Sequence, residues 1–244
     1  MATRENSKFT GIVFRSVPIK EKDAMVSCLG PNGFFSFFAR GVMNPSSSEF
    51  ASCQPLSQAE FVVNVSTQDA LRLKEGKLLH SYRPKEDYAA SLAVQSLIEI
   101  LAKAVPNDDA AALYPYFEAS LKAIENGGEP FTVLAVFLAR TLVIEGYAPI
   151  LDGCASCGKK GDIVAFSPLA GGLLCRECAS ELGEAKTPVE LMRAIRAAFL
   201  CPEYAIGTFA FPEAAIRPLL SLLRAMTGES SGVDLKGIGT ILAY

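Results

Sequence analysis

Between Phe9 and Tyr82 the apolar residues fall in alternating and β-branched patches punctuated by turn residues. An alternation of period two puts successive side chains on opposite faces of a strand. It predicts strands over Gly11–Ser16, Ala24–Leu29, Phe34–Arg40, Glu60–Val65 and Leu71–Tyr82, the last with a break at Gly76. Gly30, Pro31, Asn32 and Gly33 join the second and third strands as a hairpin. Five strands within roughly 75 residues, with no helical period among them, favour closure, because a barrel has no exposed edges. An OB-type β-barrel leads, with a flat meander as the alternative.

From Glu86 the period lengthens to that of a helix. Tyr88–Val105 places Leu92, Gln95, Ile98 and Leu101 at helical spacing, Ala110–Glu125 is a second helix containing Pro115, and Phe131–Gly146 is a third. The run from Asn126 to Pro130 breaks the chain between the last two. Two amphipathic helices follow, Pro188–Leu200 with Leu191, Ile195 and Phe199 on one face, and Pro212–Met226 with Ile216, Leu219, Leu220 and Leu223 on one face. Past Thr227, the apolar stretch from Ile238 to Tyr244 is expected to dock back as a strand or extended segment. The pattern therefore predicts an α+β chain, with a barrel over residues 1–83 and a helical domain over 84–244 that carries an inserted loop at about 152–180.

That loop holds the sharpest chemistry. Cys154, Cys157, Cys175 and Cys178 have the spacing C-x2-C-x17-C-x2-C, which suits one tetrahedral zinc ion held by four thiolates. Two disulfides, or four incidental buried cysteines, are the bland alternatives. Gly158 sits where such a knuckle often needs a positive φ. With all four positions filled by protein, the metal would fold a loop and leave no open place for water or substrate.

Composition narrows the rest. The chain has 244 residues, 50% of them hydrophobic and 20% charged, which suits an ordinary globular protein. Its seven cysteines, with no signal-peptide pattern, point to a reducing cytoplasm, and Cys28, Cys53 and Cys201 read as small buried apolar residues. The longest apolar stretch, Phe131 to Ile144, is about half a bilayer-spanning helix and contains Arg140, so no membrane contact is expected. A net charge of −3 gives no global pull toward nucleic acid, and any such binding must rest on a local patch. The single histidine, His80, cannot serve a triad without suitable partners, no phosphate-binding G-x-x-x-x-G-K-[ST] loop occurs, and paired carboxylates such as Glu21 and Asp23 sit in polar turns. A two-metal nuclease is the weakest class, and binding without enzymatic activity is the better expectation.

Several segments resemble the bacterial recombination mediator family RecO across nearly the whole chain. In the first part these are Gly11 to Arg15, Glu21 to Asp23, Phe38 to Gly41 and Gln54 to Leu56, in order; in the second, Gly146 to Leu151, Cys154 to Gly158, Phe166-Ser167 and Gly171 to Cys178. The second set is the more specific. The resemblance implies an OB-fold barrel, a helical bundle and a zinc-stabilised loop. It also implies a non-enzymatic role in DNA repair and recombination after DNA damage, in the bacterial cytoplasm at the nucleoid. That role comprises binding single- and double-stranded DNA, annealing complementary strands, contacting the C-terminal tail of the single-strand-binding protein SSB, and helping RecR place RecA on DNA. A zinc-stabilised protein-interaction adaptor with little DNA binding of its own is the alternative.

On such a barrel, cations would hold phosphates and aromatic rings would stack bases. Arg15, Lys20, Lys22 and Arg40 are the barrel's basic candidates, and Arg72, Lys74 and Lys77 form another cluster. Alternation puts Phe34, Phe38 and Arg40 on one face of the third strand and Phe35 and Phe37 on the other; Phe35 and Phe37 are taken as the stacking pair. Where the family has a basic loop after Gly41, this chain has Met43, Asn44, Ser46 and Ser48, so weaker DNA binding is expected. For the acidic SSB tail, Arg140, Arg217 and Arg224 are the candidate cations, with Arg193 and Arg196 beside them.

Overall fold

The computed structural model describes residues 6–19, 21–65, 70–84, 87–105 and 109–243. Five strands close into a barrel: β1 (Asn6–Pro18), β2 (Ala24–Gly30), β3 (Gly33–Ala39), β4 (Ser57–Val65) and β5 (Leu71–Ser81). Their order around the barrel is β1-β2-β3-β5-β4, with β1 long enough to pair with β4 through its first half and with β2 through its second. β3 meets β5 in parallel at Phe38 and Arg72, the one non-antiparallel closure. This is the five-stranded, partly open Greek-key arrangement of an OB-fold. Gly76 does not break β5; two register shifts against β4 supply the bend instead.

The barrel interior is filled by Val13, Val26, Cys28, Phe37, Ala39, Phe61 and Val63, each fully buried. Residues 41–56 close one end of it. Val42 and Cys53 enter the barrel core, Asn44 Oδ1 accepts from Ser46 N at 3.1 Å, and Ser52 Oγ donates to the Glu49 carbonyl at 2.9 Å. Residues 41–56 are thus a stack of turns acting as a plug. Leu56 ends it with φ at 68°, a costly conformation for leucine, pinned by bonds from Leu56 N to Val13 O and from Tyr82 N to Leu56 O.

The helical domain contains α1 (Tyr88–Lys103), α2 (Ala110–Glu125), α3 (Pro130–Ile144), α4 (Arg176–Glu181), α5 (Val189–Leu200), α6 (Glu213–Ser231) and α7 (Lys236–Ala243). α3 is the central element, buried on all sides from Thr132 to Ala139, because its neighbours α1, α2, α5 and α6 surround it. Glu129 caps it with both carboxylate oxygens, on the N–H groups of Phe131 and Thr132. The tail corrects one expectation: Lys236–Ala243 docks back as a helix, with Ile238 and Ile241 buried against α1. Glu99 fixes it by accepting from Lys236 N and Gly237 N, so the last segment is helix-capped across the core.

A polar seam joins barrel to helices. Gln58 Nε2 donates to Tyr114 Oη at 3.0 Å and to Glu118 Oε1 at 2.8 Å, while Tyr82 Oη donates to Gln58 Oε1. His80 meets Glu125 at 2.9 Å and Arg83 N donates to the same carboxylate. His80 is therefore part of the seam. Below it, Phe14 and Phe34 leave the barrel surface to join the helical core, with ring centroids 5.4 Å apart.

One carboxyl at the end of α3 carries a pH dependence. Burial, with Asp109 adding repulsion, raises the Glu145 pKa to about 7, and one of its oxygens is buried without a partner. Because the folded pKa exceeds the unfolded one, the stability from the protonated form is present below about pH 4.5 and is lost as pH rises through about 7. Glu145→Gln is expected to raise stability by about 1 kcal/mol at pH 8, the figure discounted for partial exposure. Thermal melts of the two proteins at pH 8 and pH 4.5 check this; equal melting at pH 8 contradicts it.

Candidate metal centre and nucleic-acid interface

The metal loop is built on two small devices. A tight turn at Cys154 is closed by Gly158 N to Cys154 O at 2.9 Å and Cys154 N to Lys159 O at 2.8 Å, with Gly158 at φ 75° as the spacing requires. A hairpin, β6 (Ile163–Ser167) and β7 (Gly172–Cys175), then delivers Cys175 to the start of α4 and Cys178 to its first turn. Gly172 packs so closely on Ile150 that an added Cβ would sit 2.3 Å from the Ile150 carbonyl oxygen. Arg176 clamps the hairpin by forking onto both Asp162 oxygens at 3.0 and 3.1 Å.

These devices bring the four sulfurs to within 4.8 Å of one another, with Cys157 and Cys175 Sγ at 3.8 Å. The seven cysteines are unbridged in the structure, and the four of this loop each face the other three. A tetrahedron of metal–sulfur bonds near 2.3 Å has edges of about 3.8 Å, so the donor set fits a tetrahedral thiolate-bound ion. Backbone N–H groups of Cys175, Cys157 and Ser156 also draw the Cys154 thiol down to about 6. Of the loop's cations, Lys159 lies 3.5 Å from Glu177 and Arg176 is held by Asp162; Lys160 is exposed.

On the barrel, registry decides which side chains share a surface. Across β1, β2, β3 and β5 one outward row reads Val17, Met25, Phe38, Arg72, and the next reads Arg15, Ser27, Ser36. Val17 and Met25 are each 38% exposed, and the Arg72 guanidinium lies 6.0 Å from the centre of the Phe38 ring. Arg40 and Lys22 are exposed at the edge of these rows, where Met43 N bonds Lys22 O and Gly41 N bonds Asp23. Lys74 follows Arg72 outward on β5, and Lys77 faces Glu60 across the strand pair. Lys20 lies outside the described residues.

The stacking pair needs correction. Phe37 is fully buried in the barrel, 4.8 Å from Phe61, and offers no face to a base. Phe35 is half-buried at the barrel's hairpin end. The available ring on the open face is Phe38, on the side of β3 that alternation shares with Ser36. That polar residue was the signal in the sequence for which face is outward. Charge points the same way. Residues 1–83 carry ten Lys and Arg against seven Asp and Glu, a net +3, whereas residues 84–244 carry thirteen against nineteen, a net −6.

The helical arginines are mostly engaged. Arg140 lies 5.0 Å over the Tyr116 ring and donates to the Phe199 carbonyl, Arg224 forks onto Asp234, Arg217 donates to the Leu242 carbonyl, and Arg196 donates to the Leu151 carbonyl. Arg217 edges an apolar groove of about 420 Å³ whose rim also carries Asp87, Glu129 and Glu213. A second hollow of about 420 Å³ is lined by Arg193, Arg196, Ala197, Leu200, Ala205 and Phe209, with no carboxylate. No helix among the described residues is long and apolar enough to cross a membrane.

A family model described as Recombination protein O N terminal matches residues 1–82, and one described as Recombination protein O C terminal matches residues 85–237. The chain is similar to a protein named DNA repair protein RecO from Syntrophomonas wolfei, 33% identical over 170 residues covering 68% of both chains. Proteins of the same name from Rubrobacter xylanophilus and Exiguobacterium sibiricum are 31% and 29% identical, the first over 73% of this chain and 74% of the relative, the second over 94% and 93%.

Proposed function

Since the chain belongs to the RecO family of DNA repair proteins, we propose that it binds single-stranded DNA on the open face of its barrel, without catalysing a covalent step. The observation that carries this reading is Phe38 lying under Arg72 on an exposed, net-positive barrel surface. A base stacks on the ring, the guanidinium and Arg15, Arg40, Lys22 and Lys74 meet phosphates, and the apolar Val17 and Met25 extend the platform. Since none of these contacts reads base edges, binding is tolerant of sequence, as annealing complementary strands requires. The duplex is met through phosphates alone and more weakly.

The four cysteines hold one Zn(II), whose filled coordination shell supplies folding energy to the loop. The acidic, aromatic-ended tail of SSB docks in the α5 hollow at Arg193 and Arg196. The alternative groove at Arg217 would confront it with three carboxylates. Cooperation with RecR in loading RecA completes the proposed role.

Fluorescence anisotropy with a labelled oligo-dT at several salt concentrations tests the barrel reading. Arg72→Glu is expected to weaken binding at least tenfold and to flatten the salt dependence by about 0.7 or more in log–log slope, the share of one phosphate contact on a single strand. Wild-type protein that fails to bind at low salt overturns it and favours an adaptor that works through proteins alone.

A further inference from the structure

β1 follows β4 from Asn6 to Ile12 but pairs with β2 only from Ile12 onward, so its first half parts from β2 where the chain turns at Gly30–Gly33. The gap is a pocket of about 230 Å³ at the hairpin end of the barrel, lined by Lys8, Phe9, Thr10, Phe34, Phe35 and the turn itself. Phe9 and Phe35 stack within it, centroids 5.0 Å apart and planes inclined by 23°. Both are half-buried, and Phe35 is backed on its inner side by Phe37 and Phe61.

Two glycines set the position of the Phe35 ring. A Cβ on Gly11 would come within 2.8 Å of Phe35 Cε1 and one on Gly30 within 3.1 Å, so the ring lies in a slot that any larger residue would close. The recess then offers a flat aromatic wall, the polar backbone and amide of the Pro31–Asn32 turn, and the exposed ammonium of Lys8 at its edge. That is the chemistry of a nucleotide contact: a π-face for a base and a cation for the phosphate beside it. A double helix keeps its bases stacked and presents nothing flat enough to enter.

The geometry points to a second contact for single-stranded DNA, in which one unstacked base lies against the Phe9–Phe35 pair and its phosphate meets Lys8. This rests on the single-strand reading above and extends it. The row of Arg15, Ser27 and Ser36, with Ser36 Oγ donating to Ser27 Oγ at 2.9 Å, lies between this pocket and the Phe38–Arg72 platform. Phe35 and Phe38 are three residues apart, about 10 Å along the strand. The outer row nearer the hairpin, Ile12, Leu29 and Phe34, is covered by the helical core, so a strand joining the two contacts passes round the barrel's rim and not across that face.

Photocrosslinking of a dT oligomer carrying 4-thiothymidine, followed by mass spectrometry of the peptides, tests the inference. Crosslinks are expected on residues 8–10 and 30–35 as well as around Phe38. Lys8→Ala is expected to lower the log–log salt slope by about 0.7. Phe35→Leu, which keeps most of the volume, is expected to weaken binding about tenfold at unchanged slope, its melting checked alongside. Crosslinks confined to the Phe38 face, with Lys8→Ala binding like wild type, overturn the second contact and leave the barrel reading standing. Competition by free thymidine monophosphate as effective as the oligomer assigns the pocket to a mononucleotide and overturns the strand path. Absence of any oligomer binding sinks both readings.

Discussion

Phe37→Ala is expected to lose roughly 3–5 kcal/mol of stability, the usual cost of emptying a fully buried phenylalanine site, whereas Phe38→Ala is expected to melt within about 0.5 kcal/mol of wild type. The neighbours take opposite parts because β3 alternates. Phe37 packs at 4.8 Å on Phe61 and 6.3 Å from Phe35 inside the barrel, while Phe38 lies outside beneath Arg72. Binding should reverse the order. Per folded molecule, Phe38→Ala loses the base-stacking platform, worth about 1–3 kcal/mol of single-strand affinity. Phe37→Ala loses affinity only in step with its unfolded fraction. Denaturant titrations paired with anisotropy at low salt separate the two. A Phe37 variant that stays folded but no longer binds would return the stacking role to the inner face.

What the sequence revealed and concealed follows from which forces are local. The strand and helix periods before Thr227, the Gly30–Gly33 hairpin and the Cys154–Gly158 turn are set by neighbours a few residues away, and they stand in the structure. The face of β3 that is core depends on what closes over it. Ser36 on the outward row held that information, but four phenylalanines in five positions obscured it. The segment after Ile238 was apolar enough for a strand; it is a helix because Glu99, 137 residues earlier, accepts from its first turn. Hairpin β6–β7 and short α4 escaped notice for a different reason. Their core is little more than the cysteines themselves with Ala165, Leu174 and Ala179, too small to leave a periodic trace.

That small core makes removal of the metal the second large effect. Stripping a bound ion with a chelator, or Cys175→Ser, is expected to unfold the 152–180 loop, since six small buried residues cannot offset its ordering entropy alone. The loss spreads, because Leu151, Phe166 and Leu173 reach from the loop into the main helical core and leave it when the hairpin opens. A cost of several kcal/mol corresponds to a fall in melting temperature of about 10 °C or more for a domain of this size. The barrel lies on the far side of the polar seam, with its own core of Val26, Phe37 and Phe61. Single-strand affinity per folded molecule should therefore survive. Native mass spectrometry gives the metal's identity and stoichiometry, limited proteolysis reports opening between residues 155 and 175, and melting gives the cost. Unchanged melting together with a selective loss of DNA binding would move the loop from scaffold to interface. The reverse, a large fall in melting with binding intact below it, fixes the cysteines as a clamp on the fold and leaves recognition to the barrel.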